Sequence, residues 1–282
     1  MSLKIGFIDY YISEWHANNY PLWIEQICRE KVIDARVTYA WAEKDISPVD
    51  GRSTDEWCEM FGAERCASVE ELCERSDAII ILAPSDPDKH LGYAEIALRY
   101  GKPIYIDKTF APDLATAQRI FEIAKEWGTP FFSSSALRYE KNLRLCSDCS
   151  QFTVSFAGGS VEEYIIHPIE MIVKKLGIGA KKIKCLKNGV VSLFSIKYGD
   201  DRAACIVFAT VPMPTRAIMV SRSGESVESS FESDFFPCLI ADILRFFGDR
   251  SVSFDVCETV EAMRLRDGAI AAFANEDCWI EI

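Results

Sequence analysis

Asp77-Ala78-Ile79-Ile80-Ile81-Leu82-Ala83-Pro84 is the stretch on which the fold turns. An unbroken apolar run closed by proline suits a strand buried on both faces, the condition of a parallel sheet covered by helices. Its surroundings follow the same plan. Residues 4–9 read as a strand and 21–31 as a helix, with Leu22, Ile24, Ile27 and Cys28 on one apolar stripe and Asn19 as its cap. Residues 35–41 read as a second strand and 54–61 as a short helix. Ser68-Val69-Glu70-Glu71 has the form of a capping box opening another helix. Downstream, 90–100 is helical up to Gly101, 103–107 is a strand, 113–127 is an amphipathic helix ending at Gly128, and 130–133 is one more strand. Strands alternating with helices define an α/β domain with a parallel sheet.

From Ser135 the texture changes. Residues 151–157 alternate like a strand, 161–176 read as one helix, and β segments follow at 183–187, 190–198, 203–210, 214–222 and 226–231. Asn188-Gly189 between alternating runs signals a hairpin. Helices around 234–247 and 258–274 and a strand at 278–282 close the chain. The expected division is 1–134 and 135–282, the second part an α+β domain with a mainly antiparallel sheet. Its closing helix is expected to pack back on the first domain.

Composition narrows the function. The chain has 282 residues, which at about 150 per domain suggests two domains. A net charge of −12 repels phosphate backbones, and the pairs Lys174-Lys175 and Lys181-Lys182 are too short to make a basic patch, so no nucleic-acid partner is expected. No apolar run reaches the roughly 18 residues that a membrane helix needs, and Asp9 interrupts the only early one, so neither a membrane span nor a signal peptide is expected. Eleven cysteines without an export signal read as reduced thiols in the cytoplasm. Cys146-Ser147-Asp148-Cys149 is the only C-x-x-C, and His16, His90 and His167 do not stand at zinc spacing, so no metal is expected.

A parallel-sheet domain raises the question of a dinucleotide. Such a ligand usually sits on a tight glycine turn after the first strand, with its diphosphate at a helix N-terminus. Here that turn runs Asp9-Tyr10-Tyr11-Ile12-Ser13-Glu14 and contains no glycine. Asp9 and Glu14 add negative charge where a diphosphate would come. The loop predicts weak or absent binding in the standard pose. Trp15 and His16 are either a packed plug or a ligand contact.

Gly101-Lys102-Pro103-Ile104-Tyr105-Ile106-Asp107-Lys108-Thr109 resembles the G-K-x-V…Glu-Lys-Pro segment of the glucose–fructose oxidoreductase/inositol dehydrogenase (Gfo/Idh/MocA) family. Lys108 matches the lysine that faces nicotinamide in that family, with Asp107 and Thr109 in place of glutamate and proline. The run 77–84 and His90 match the preceding strand and helix. Gly158-Gly159-Ser160-Val161-Glu162-Glu163-Tyr164-Ile165-Ile166-His167-Pro168-Ile169-Glu170 is similar to the family's G-G…D-x-x-x-H-x-x-D segment. His167 falls on its catalytic histidine, and Glu163 and Glu170 on its acids. The resemblance covers nearly the whole chain, although it departs at the three loop glycines and is short between 138 and 158.

The resemblance implies a Rossmann-like first domain that binds NAD or NADP, and a substrate and oligomerisation domain behind it. It implies oxidation of a sugar- or polyol-like secondary alcohol. His167 would move the proton, since an imidazole titrates near working pH. Lys108 would steady the developing alkoxide. Glu163, one turn before His167, would orient it or bind a hydroxyl. Lys108, Arg138, Glu163 and His167 are the implied substrate contacts, meeting in a cleft between the domains. Asp9, Tyr10, Tyr11, Glu43, Pro84, Ser85, His90 and Lys108 would line the cofactor, Glu43 taking the ribose because Ala42 stands at the usual acid position. A homodimer or higher homo-oligomer is expected. A second class stays open: a non-catalytic sugar-binding or regulatory relative that has lost the dinucleotide. A third is proton-transfer isomerisation by the same residues without nicotinamide.

Overall fold

The computed structural model describes residues 2–232 and 234–282. The chain divides into two compact units, one reaching to Ser134 and taking in Phe236–Phe254, the other Ser135–Phe235 with Asp255–Ile282.

The first unit runs β1 (Leu3–Asp9), α1 (Trp15–Lys31), β2 (Ala35–Ala42), α2 (Thr54–Phe61), β3 (Glu64–Arg65), α3 (Val69–Arg75), β4 (Ala78–Ile81), α4 (His90–Ala97), β5 (Ile104–Ile106), α5 (Leu114–Trp127) and β6 (Phe131–Ser133). Its six strands are all parallel, in the order β3-β2-β1-β4-β5-β6. This is the doubly wound order, which reverses between β1 and β4. Every residue of β4 is fully buried, as its unbroken apolar run requires. A Cβ on Gly6 would stand 2.5 Å from Leu72 Cδ2, so glycine is what lets α3 lie close on β1.

One helix starts earlier than its sequence suggests. α1 begins at Trp15, not at residue 21, and carries Pro21 in its interior. The true cap is Glu14, in extended backbone, whose carboxylate accepts from the His16 and Ala17 N–H groups. Burial of Ala17, Tyr20, Ile24 and Ile27 on one face offsets the hydrogen bond that Pro21 cannot donate.

The second unit opens with β7 (Cys149–Ala157), α6 (Val161–Tyr164) and α7 (Ile166–Leu176). The expected single helix is therefore two. Pro168 has no N–H for the carbonyl of Tyr164, four residues back, and the break falls there. β8 (Ala180–Asn188), β9 (Val191–Tyr198), β10 (Ala203–Ala209), β11 (Arg216–Ser221) and β12 (Ser226–Ser230) follow. α8 (Phe235–Asp249) then belongs, from Phe236 onward, to the first unit, while α9 (Cys257–Ala274) and β13 (Ile280–Glu281) complete the second. The seven strands lie in the order β12-β11-β7-β10-β9-β8-β13. Only β7 and β10 pair in parallel; the rest is antiparallel, as expected. Phe152, Val154, Phe194, Ile196, Ile206 and Phe208 are buried on one face, with α7 and α9 against it. On the alternate positions Leu186, Leu193 and Ile218 are exposed. A Cβ on Gly268 of α9 would meet Ile282 Cγ2 at 2.2 Å, so α9 needs glycine to approach the strand end.

Candidate functional site

In an open parallel sheet, ligands sit outside the carboxyl ends of the strands where the order reverses. The first unit brings most of the expected cofactor-side residues to that edge. Asp9 ends β1, Glu43 follows β2, Pro84 and Ser85 follow β4, and Lys108 follows β5. Asp9 is buried; its Oδ1 accepts from the N–H groups of Tyr10 (2.7 Å) and Ala83 (3.0 Å). The second bond holds Ala83 in a left-handed conformation (φ 59°), which an alanine adopts only when its surroundings fix it. Burial, and then the charge of Glu14, raise the Asp9 carboxyl well above its ordinary range. Glu14 is raised too, chiefly by burial.

Tyr10 lies against Tyr11 and beneath two ammonium groups, Lys44 at 4.4 Å and Lys89 at 4.6 Å from its ring centre. Glu43 accepts from Lys89 (2.6 Å) and the Tyr93 hydroxyl (2.8 Å), and the Lys89 bond holds its carboxyl below the usual range. Beside them is a cavity of about 420 Å³ lined by Trp41, Glu43, Ser68, Lys89, Tyr93 and Ile96.

His90 is placed differently. It is fully buried, with Nδ1 3.0 Å from the Phe110 carbonyl and Nε2 against the Leu82 carbonyl. Both ring nitrogens are taken, and His90 staples the end of β4 to the segment after β5. Burial lowers its pKa although both carbonyls favour the protonated ring.

Lys108 is half-buried, and its Nζ donates to the Pro84 carbonyl at 3.4 Å. The Lys108–Thr109 peptide is cis. Beneath it Asp107, 1% exposed, faces His16 Nδ1 at 2.5 Å and accepts from the hydroxyls of Tyr20 (3.3 Å) and Tyr105 (3.2 Å). Here the question left by the sequence is resolved. Trp15 packs on Trp23 and Phe236, and His16 is the buried partner of Asp107. Sequence reasoning left His16 without a role, because only the sheet brings it to a residue ninety positions on.

Burial raises the Asp107 carboxyl, but the charge and hydrogen bond of His16, with Lys108 behind them, outweigh it and bring the value down to about 2. Such a group stabilises the fold while ionised. The contribution is complete above the unfolded value of 3.8 and is lost as pH falls towards 2. Asp107→Asn is expected to lower stability at pH 7 by about 1–3 kcal/mol. The gap between the two proteins should narrow from pH 4 towards pH 2, read by denaturant melts at each pH. A gap independent of pH would show that the carboxylate's charge is not what matters.

The second unit holds the other expected residues. His167 sits in α7, its Nδ1 2.7 Å from Ser135 Oγ, with its ring against Phe156 and Tyr164. Ser135 Oγ also accepts from the Leu137 N–H at 3.3 Å. Nothing in the sequence marks a serine 32 residues away as a histidine partner. Glu163 lies in α6, across the break at Ile165 from His167. Arg138, expected to meet substrate, is 4% exposed and engages two carboxylates, Glu170 at 3.3 Å and Glu258. Lys174 donates to the Arg138 carbonyl, and burial brings its ammonium down to about 8.

The parallel doubly wound unit defines a fold class, the Rossmann-like α/β domains, with a lysine at the end of β5. Residues 45–134, about a third of the chain, match the model of the Gfo/Idh/MocA oxidoreductase family, described as an NAD-binding Rossmann fold. A curated relative, the uncharacterised oxidoreductase YhhX of Escherichia coli, is 32% identical over 68 residues, which are 23% of this chain and 20% of that protein. The whole chain resembles a structure described as a probable dehydrogenase from Thermotoga maritima, with a TM-score of 0.82 at 12% identity over 99% of this chain and 98% of that one. It also resembles a myo-inositol dehydrogenase of Corynebacterium glutamicum, with a TM-score of 0.78 at 12% identity over 100% and 99%. At such identity these likenesses speak for the fold.

The residues present fit one half of such a cofactor. The cavity beside Trp41 and Tyr93 suits an adenine, with the Glu43 carboxylate at its wall for a ribose. The N-terminus of α1, where a diphosphate ordinarily binds, carries the Glu14 carboxylate instead. Among the described residues no helix is long and apolar enough to cross a membrane, and no disulfide joins the eleven cysteines.

Proposed function

We propose that the chain is a cytoplasmic NAD(P)-dependent oxidoreductase that moves a hydride between nicotinamide and a secondary alcohol of a sugar or polyol. The observation that carries this reading is Lys108, held at the carboxyl end of β5 by one 3.4 Å bond to Pro84 at the edge where such sheets take ligands. When bound, nicotinamide supplies the hydride acceptor. The chain's own residues handle the proton and the charge. His167, whose Nδ1 lies 2.7 Å from Ser135 Oγ, takes the alcohol proton. The Lys108 ammonium stabilises negative charge that develops on a substrate oxygen. Glu163 binds a neighbouring hydroxyl. The myo-inositol dehydrogenase likeness supports a polyol. Leu193 and Ile218, exposed on the open sheet face, support self-association into a homodimer through that face. A sedimentation mass of one chain at micromolar concentration would remove that part.

A second reading, a sugar-binding relative without turnover, is favoured by Glu14 at the α1 N-terminus. Calorimetric titration with NADH and NADPH, followed by a panel of inositols and aldoses assayed at 340 nm, separates the two. The proposed function predicts micromolar binding and turnover. Lys108→Ala should lower kcat/KM by roughly 10²–10³-fold, the usual loss for one donor to a developing oxyanion. Absence of binding up to millimolar cofactor, in a folded sample, overturns it.

A further inference from the structure

We propose that Glu14 sets the dinucleotide affinity of this chain by competing, from within, for the place of the diphosphate. The inference rests on the reading of the protein as a nicotinamide-dependent oxidoreductase and concerns how that cofactor is held. A helix N-terminus offers backbone N–H groups and a partial positive charge, and an anion placed there satisfies both. In α1 the anion is the chain's own. Glu14 takes the N–H of His16 at 2.8 Å through Oε2 and that of Ala17 through Oε1, and it is 6% exposed. A diphosphate cannot reach those N–H groups while the carboxylate is on them. It would also meet two further buried acids at this edge, Asp9 at the end of β1 and Asp107 after β5. Of the cationic groups at the loop, His16 is committed to Asp107, Lys44 and Lys89 lie over Tyr10, and Arg52, which donates to Ser13 Oγ at 3.0 Å, is paired with Asp50.

The adenosine end is not opposed in this way. Its cavity lies between β2, α3 and α4, and Glu14 is not among the residues that line it. Glu14 therefore discriminates between two parts of one ligand. It leaves a nucleoside free to bind and weakens whatever requires the α1 N-terminus. Loss of the Glu14 charge should strengthen dinucleotide binding and leave adenosine binding as it was.

The experiment is calorimetric titration of the full-length protein, wild type and Glu14→Gln, with NADH and separately with adenosine. Glu14→Ser is a second variant, because serine caps a helix without charge. Circular dichroism melts show that each is folded. The expected result is NADH binding at least tenfold tighter in both variants, with adenosine unchanged within twofold. NADH affinity equal or weaker in folded variants, while wild type binds, overturns the role of Glu14 and leaves the oxidoreductase reading in place. Tightening of adenosine by the same factor also overturns it, since Glu14 would then act on the whole site. If no form binds NADH, the oxidoreductase reading fails, and the proposal with it.

Discussion

Replacing His167 by asparagine is expected to lower kcat by about 10²–10⁴-fold, the usual worth of a positioned general base. Asparagine keeps a polar group near Ser135 but has no basic nitrogen to take a proton. The residual activity should therefore rise with hydroxide and lose the limb of the pH–rate profile that reports the imidazole. His167 is only half-buried, so the variant should stay folded. Ser135→Ala tests the partner. Without the hydroxyl 2.7 Å from Nδ1 the ring loses one of its partners, and kcat should fall less than in the asparagine variant. An intact profile in His167→Asn would take the proton-transfer role away from this residue.

Replacing Arg138 by leucine should act on stability, with an expected loss of about 3–5 kcal/mol at pH 8. The substitution strands Glu170, which is 5% exposed and paired with Arg138 at 3.3 Å, and leaves Glu258 without its closest cation. Burial already pushes the Glu170 carboxyl above its ordinary value despite the arginine. Without Arg138 the folded carboxyl rises further and holds a proton that the unfolded chain has released. The folded state then binds more protons, so stability of the variant falls as pH rises above the unfolded value of 4.5. The defect should be smallest near pH 4–5 and largest at pH 8, read by denaturant melts across that range. KM for any substrate found should change little at a temperature where the variant is folded. A large rise in KM with unchanged stability would return Arg138 to the substrate.

The two substitutions show which features of the molecule are written locally. The parallel sheet could be read from 78–83, because a strand buried on both faces has no alternative but an apolar run. The hairpin at Asn188-Gly189 was equally direct, and β8 pairs with β9 across it. Lys108 and His167 were singled out through their flanking residues, and their roles belong to the proposed function. What could not be read are pairings made by the fold. Ser135 meets His167, Arg138 meets Glu170 and Glu258, and His16 meets Asp107, each across a distance in sequence that no local pattern records. The start of α1 was misplaced for a different reason. Pro21 reads as a first-turn residue, and a glutamate is not the expected N-cap, so buried apolar contacts overrode both signals.

The return of the chain to the first unit through Phe236–Phe254 has a consequence for biosynthesis. Phe236 stacks on Trp23 at 4.9 Å and touches Trp15, while Phe246 and Phe254 pack on Phe132. On the ribosome these partners appear roughly a hundred residues after β6. At about 5–20 residues per second, the nascent first unit waits on the order of 5–20 s with that aromatic surface uncovered. During this interval it is a target for chaperones and for self-aggregation. A fragment ending at Ser134 would keep the surface exposed permanently, so soluble expression requires the chain through Phe254.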